Sequence, residues 1–174
     1  FKFHARNILK QNPPVALSSF LDLYKLDTHF PGMTPAYLNT DGIEKAEYLE
    51  SKLHESIVRE LNCKPARFFP HIQPYEFESL LFSDISSLTK IEPEWIKYVE
   101  KLKNVRLNYA TPEHINDGYD TKPSERLKIL SPKYRKTRHG PLAAERITLK
   151  VIEEECPHFR VWMEKLRGLA GIAL

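Results

Sequence analysis

The chain has 174 residues, enough for one ordinary domain that buries about two thirds of its unfolded surface. Hydrophobic residues make up 41% and aromatic ones 11%, which excludes a disordered chain; no apolar run approaches the roughly 18 residues of a membrane helix, so a soluble protein is expected. The formal charge of +3 is unevenly spread: residues 122–150 hold nine Lys or Arg against two acids, a surplus of seven, whereas residues 41–60 hold three against six.

Residues 1–11 read as the end of an amphipathic helix closed by Asn12, Pro13 and Pro14, and residues 15–20 as a strand. Helix, turn and strand make half of a βαβ unit, which suggests a further strand before Phe1; with no start methionine, the chain is read as a fragment. Asp22 then falls just past a strand's carboxyl end, a position that suits an acid opening a turn and equally a site acid. A long loop follows over residues 23–40, pinned by Tyr24, Phe30 and Tyr37 and turned at Pro31 and Gly32. It carries Asp27 and His29, a pair that is either solvated or a metal ligand set. Residues 41–62 form the clearest helix, with an Asp41–Glu44 capping box and Ala46, Leu49, Leu53, Ile57 and Leu61 at helical spacing.

The chain is organised around residues 67–84. Residues 67–73 are rich in aromatic and β-branched side chains and predict a strand, with Pro70 marking an edge or a bulge. Pro74 ends it, and residues 75–82 predict a short helix burying Phe77, Leu80 and Leu81. Glu76 and Glu78 are thereby delivered to the carboxyl end of a strand, where open α/β sheets bind ligands. Two residues apart, they share a face only if the backbone there is extended or irregular. The alternative is that they complement a helix dipole.

Residues 92–103 predict a helix with Trp95, Val99 and Leu102 inward, and residues 106–110 a last short strand. Beyond Thr111, prolines punctuate short helical pieces, including one turn over 124–130, and two helices close the chain over 141–154 and 157–166. Lys133, Arg135, Lys136, Arg138 and His139 crowd into the stretch before a helix expected to start at Pro141. Cations at a helix start suit a phosphate, and Tyr134 could stack on a base; a solvated basic loop is the alternative. Cys63 and Cys156 are isolated, which gives no zinc or thiol-redox motif and suggests a reducing cytoplasm. With no Gly-x-Ser-x-Gly element, a Ser or Cys nucleophile has no support.

Five co-linear segments resemble the bacterial domain of unknown function 4276 family: residues 20–32, 71–84, 112–117, 134–146 and 156–162. They carry, among others, Asp22, the Glu76-Phe77-Glu78 element, the His139-Gly140-Pro141 turn and Trp162. The resemblance implies an α/β fold, a Toprim-like parallel sheet flanked by helices, with a helical C-terminal part. Residues 1–110 would form the core, and residues 111–174 a helical region packed on the same domain. It further implies a metal-dependent nuclease working with an ATPase in bacterial antiviral defence. Asp22, Glu76 and Glu78 match the family's acidic positions and would bind Mg2+ or Mn2+ as the catalytic centre, joined by a Glu expected before Phe1. His29 stands where members commonly carry Asp, and Lys25 where they often carry Gly.

Carboxylates suit this chemistry because Mg2+ prefers oxygen ligands and keeps waters, leaving room for a phosphodiester oxygen. Lys133, Arg135, Lys136, Arg138 and His139 would hold backbone phosphates, with DNA ranked ahead of RNA and a homo-oligomer allowed. The rival expectation is a binding or regulatory subunit of the same fold that docks on an ATPase and senses nucleic acid without turnover.

Overall fold

The computed structural model describes residues 2–11, 15–34, 41–115, 118, 120–130 and 134–169. Lys133, the Asn12–Pro14 turn and the end of the 23–40 loop lie outside the described residues. The fold is mixed α/β, with a two-stranded parallel sheet flanked by helices. The chain forms two compact units: Phe1–Gln73 with Val161–Leu174, and Pro74–Arg160.

In the first unit, helix α1 (Lys2–Leu9) leads to strand β1 (Leu17–Asp22), a 3-10 turn (Leu23–Lys25), helix α2 (Gly42–Leu61) and strand β2 (Phe68–Gln73). The strands run parallel, with Leu17 opposite Phe68 and Asp22 opposite Gln73. Asp22 is thus the last residue of β1 rather than the first beyond it. Helix α2 begins as its sequence predicts: Asp41 caps it, accepting the Ile43 N–H at 2.8 Å. It ends at Asn62, whose left-handed backbone (φ 47°) closes the last turn. Its apolar stripe packs against the sheet through Leu53, Ile57 and Leu61 with Phe68, and through Ala46 and Leu49 with Ile72. The Ile72 N–H of β2 is taken by the Glu50 carboxylate of α2 at 2.7 Å.

The second unit is helical. A 3-10 segment (Phe77–Ser83) is followed by α3 (Ile85–Thr89), a 3-10 turn (Pro93–Tyr98), α4 (Val99–Leu107), α5 (Pro123–Leu127), α6 (Lys136–Ile147) and α7 (Leu149–Glu155). Helix α8 (Pro157–Gly168) starts in this unit. The buried Glu113 carboxylate caps it, one oxygen accepting the His158 N–H and the other the Phe159 N–H, both at 2.9 Å.

Three further expectations do not hold. Residues 106–110 are not a strand: α4 runs to Leu107, and Arg106 folds back over the helix end, donating to the Tyr109 carbonyl at 2.7 Å and to Glu155 at 2.8 Å. The helix expected to start at Pro141 starts at Lys136 instead. Its first turn is closed by a side chain, His139, whose Nδ1 accepts the Arg135 N–H at 2.8 Å, and Pro141 is carried inside. That helix also stops at Thr148 (φ 76°), so residues 141–154 belong to two helices.

Candidate acidic site

The geometry of the acidic pair begins at Tyr75, whose backbone is left-handed (φ 64°). This turn puts Glu76 in extended conformation (φ −144°, ψ 153°) immediately ahead of the 3-10 segment that carries Glu78. The irregular backbone that a shared face requires is therefore present. Both side chains are buried, at 2% and 3% exposure, and both reach one cation: Lys136 Nζ lies 2.9 Å from Glu78 Oε1 and 3.5 Å from Glu76 Oε1. The other oxygen of Glu76 accepts the Ser124 N–H at 3.0 Å, at the start of α5. Lys136 itself is half exposed, so the cluster reaches solvent along the lysine side chain.

The two acids differ electrically. Burial pulls the Glu76 carboxyl up, but its bonds from Ser124 and the charges of Lys136 and Lys122 outweigh burial and hold it below the ordinary glutamate range. For Glu78 burial wins over Lys136, and the neighbouring Glu76 charge adds to it, so its carboxyl lies above that range. Lys136 is pulled down by burial and more strongly up by both glutamates, which leaves it firmly charged. Two carboxylates therefore face one ammonium. Close by, the Tyr134 hydroxyl is buried with no hydrogen-bond partner among the described residues, and burial together with the Glu78 and Glu76 charges pushes it toward the protonated form.

The basic residues are placed differently from one another. Arg135 and Arg138 are exposed and, with Glu92, Glu94, Trp95 and His139, line a cavity of about 230 Å3. Arg138 is 3.5 Å from Glu92. His139 is buried: its ring lies edge-on to Trp95 at 5.0 Å and near Tyr134 at 5.7 Å, while its Nδ1 closes the start of α6. Burial and the neighbouring Arg138 lower its proton affinity. It thus holds the helix start together. Tyr134 packs in the same cluster, 6.2 Å from Trp95.

Asp22 belongs to the first unit, at the carboxyl end of β1. Asp27 and His29 engage each other at the surface, the Asp27 carboxylate accepting the His29 N–H at 2.7 Å and meeting its ring at 2.8 Å. The first unit also holds a buried polar group that sequence reasoning passed over. His71 Nε2 donates to Gln73 Oε1 at 3.1 Å, Glu50 stands 3.5 Å from Nδ1, and the ring stacks on Trp162 at 4.8 Å. Trp162 in turn donates to Ser18 at 2.8 Å.

The Glu76–Glu78 pair offers hard oxygen donors already gathered on one positive charge, and an unpaired hydroxyl lies near them. That set fits a divalent cation of the magnesium class. Fold and site together define a mixed α/β protein with a buried acidic pair holding one cation. Residues 1–167 match the family described as "Domain of unknown function (DUF4276)", and the chain belongs to that family. No curated protein and no solved structure matches it.

Proposed function

We propose that the chain is a metal-dependent phosphodiesterase subunit, a nuclease of Toprim-like fold that works with an ATPase partner in antiviral defence. One observation carries this reading: two buried carboxylates converge on a single cation beside exposed arginines. Glu76 and Glu78 would hold Mg2+ or Mn2+, which when bound polarises a phosphoryl oxygen and activates water. Arg135 and Arg138, exposed at the start of α6, bind the backbone phosphates of a nucleic acid, DNA ahead of RNA. The Ser124 N–H fixes the Glu76 carboxylate in one orientation. Asp22 is the further acidic position of the family resemblance and is tested by its own variant. Two free thiols, Cys63 and Cys156, fit a cytoplasmic setting. Among the described residues, no helix is long and apolar enough to cross a membrane.

A second reading, a non-catalytic subunit that docks on the ATPase, has its own support. Glu76 and Glu78 are almost fully buried and already compensated by Lys136, as structural acids are. The two readings part on one experiment. The purified chain, alone and with its ATPase partner, is incubated with plasmid DNA and with RNA in Mg2+, Mn2+ or EDTA, alongside Glu78→Gln and Asp22→Ala. Metal-dependent cleavage that drops about 100-fold or more in Glu78→Gln supports the nuclease. No cleavage under any condition leaves the binding subunit, and cleavage unchanged in Asp22→Ala removes Asp22 from the chemistry.

A further inference from the structure

We propose that Lys136 is the resident counter-ion of the Glu76–Glu78 pair, that a divalent cation must displace it, and that Lys136 thereby sets how much metal the site needs. The inference rests on the reading of this pair as the metal centre. The geometry supplies the argument. Lys136 Nζ sits 2.9 Å and 3.5 Å from one oxygen of each glutamate, the place where a shared cation is best held. The glutamates cannot move away, because they are buried and Glu76 is tied to the Ser124 N–H. Lys136 is half exposed and projects from the first residue of α6, so its flexible stem lets the ammonium swing into solvent.

Displacement leaves charge in balance. A pair of carboxylates with an ammonium carries a net charge of about −1; with a divalent ion in its place the net is about 0. Each metal ion bound releases one ammonium beside Arg135 and Arg138, which gathers three cations on the face that meets phosphate. Metal uptake and the cationic character of the start of α6 are thus coupled, and an ion that binds only the open form is weakened by the fraction of time Lys136 occupies the site.

The test is Mn2+ binding by calorimetry on the full chain, compared with Lys136→Met and Lys136→Arg. An ammonium engaged about nine tenths of the time weakens binding about tenfold, so Lys136→Met binds Mn2+ about tenfold more tightly while Lys136→Arg stays near wild type. In Glu78→Gln/Lys136→Met the gain disappears. Equal or weaker binding by Lys136→Met overturns the proposal. Should Lys136→Met unfold in EDTA, recovery of its fold by Mn2+ supports the proposal, and failure to recover overturns it, since the ammonium is then an obligatory member of the fold. Tighter binding without cleavage by any variant keeps this inference and sinks the nuclease. Cleavage by wild type with no gain in Lys136→Met does the reverse.

Discussion

Lys136 Nζ lies 2.9 Å from Glu78 Oε1, although 58 residues separate them and Glu78 is 3% exposed. With Glu76 alongside, the lysine serves two acids at once. Lys136→Gln therefore leaves two buried carboxylates facing each other, whereas Glu78→Gln leaves the Glu76–Lys136 pair intact. Urea unfolding should show Lys136→Gln the more destabilised, and the double variant less destabilised than the sum, with a coupling of about 1–3 kcal/mol. Additive effects would mean the two side chains do not interact.

Asp84 caps α3, its carboxylate accepting the Ser87 N–H at 3.0 Å and the Ser87 hydroxyl at 2.6 Å. Burial pushes its carboxyl up, but these bonds from Ser87 outweigh burial and hold it below the ordinary 3.8. A depressed value means stability that is fully present above pH 3.8 and is lost as the pH falls through the folded value. Asp84→Ala should cost about 1 kcal/mol at neutral pH. The gap to wild type should narrow in acid, and a gap that is constant with pH would show that the carboxylate charge has no part in the cap.

Thr148 joins α6 to α7 at φ 76° and ψ 147°, near a region that glycine alone adopts without strain, and its side chain is exposed. Thr148→Gly removes the strain and gives up no buried contact. Thermal unfolding should show a gain of about 1 kcal/mol, and a loss would show that the threonine side chain holds the joint.

Gly32 has φ 84°, and a methyl group there would stand 2.8 Å from Lys52 Cβ and 3.0 Å from the Tyr48 ring on α2. The first of these atoms is anchored to the helix backbone and cannot withdraw. Gly32→Ala should destabilise the first unit by about 1–3 kcal/mol in urea, with Gly32→Ser at least as damaging.

The residues that were legible from sequence share one property: their partners are near in the chain or follow a period. Helix α2 announces itself through its apolar stripe and Asp41, β2 through its aromatic and β-branched side chains, and β1 through its place after a helix and a proline turn. Pro157 marks the start of α8. Residues 106–110 deceived because Arg106 and Leu107 finish a helix whose end is secured by Glu155, 49 residues away. The start of α6 was hidden for a related reason: an imidazole closes it, and Pro141 reads as a first position when it is an interior one. Glu76 and Glu78 were visible as acids after a strand. Their common partner was not, since Lys136 sat in a basic run whose pattern points to phosphate, and no local rule couples charges at that separation. The left-handed Tyr75 that makes convergence possible carries no glycine to signal it.

Trp162 donates to Ser18 across 144 residues and covers the buried ring of His71, so the first unit needs two stretches of chain, one on each side of the second unit in sequence, to finish. The second unit is one continuous stretch, Pro74–Arg160. During synthesis Pro74–Arg160 emerges before Trp162 does and is free to fold first, while the sheet-bearing unit waits for its closing tryptophan.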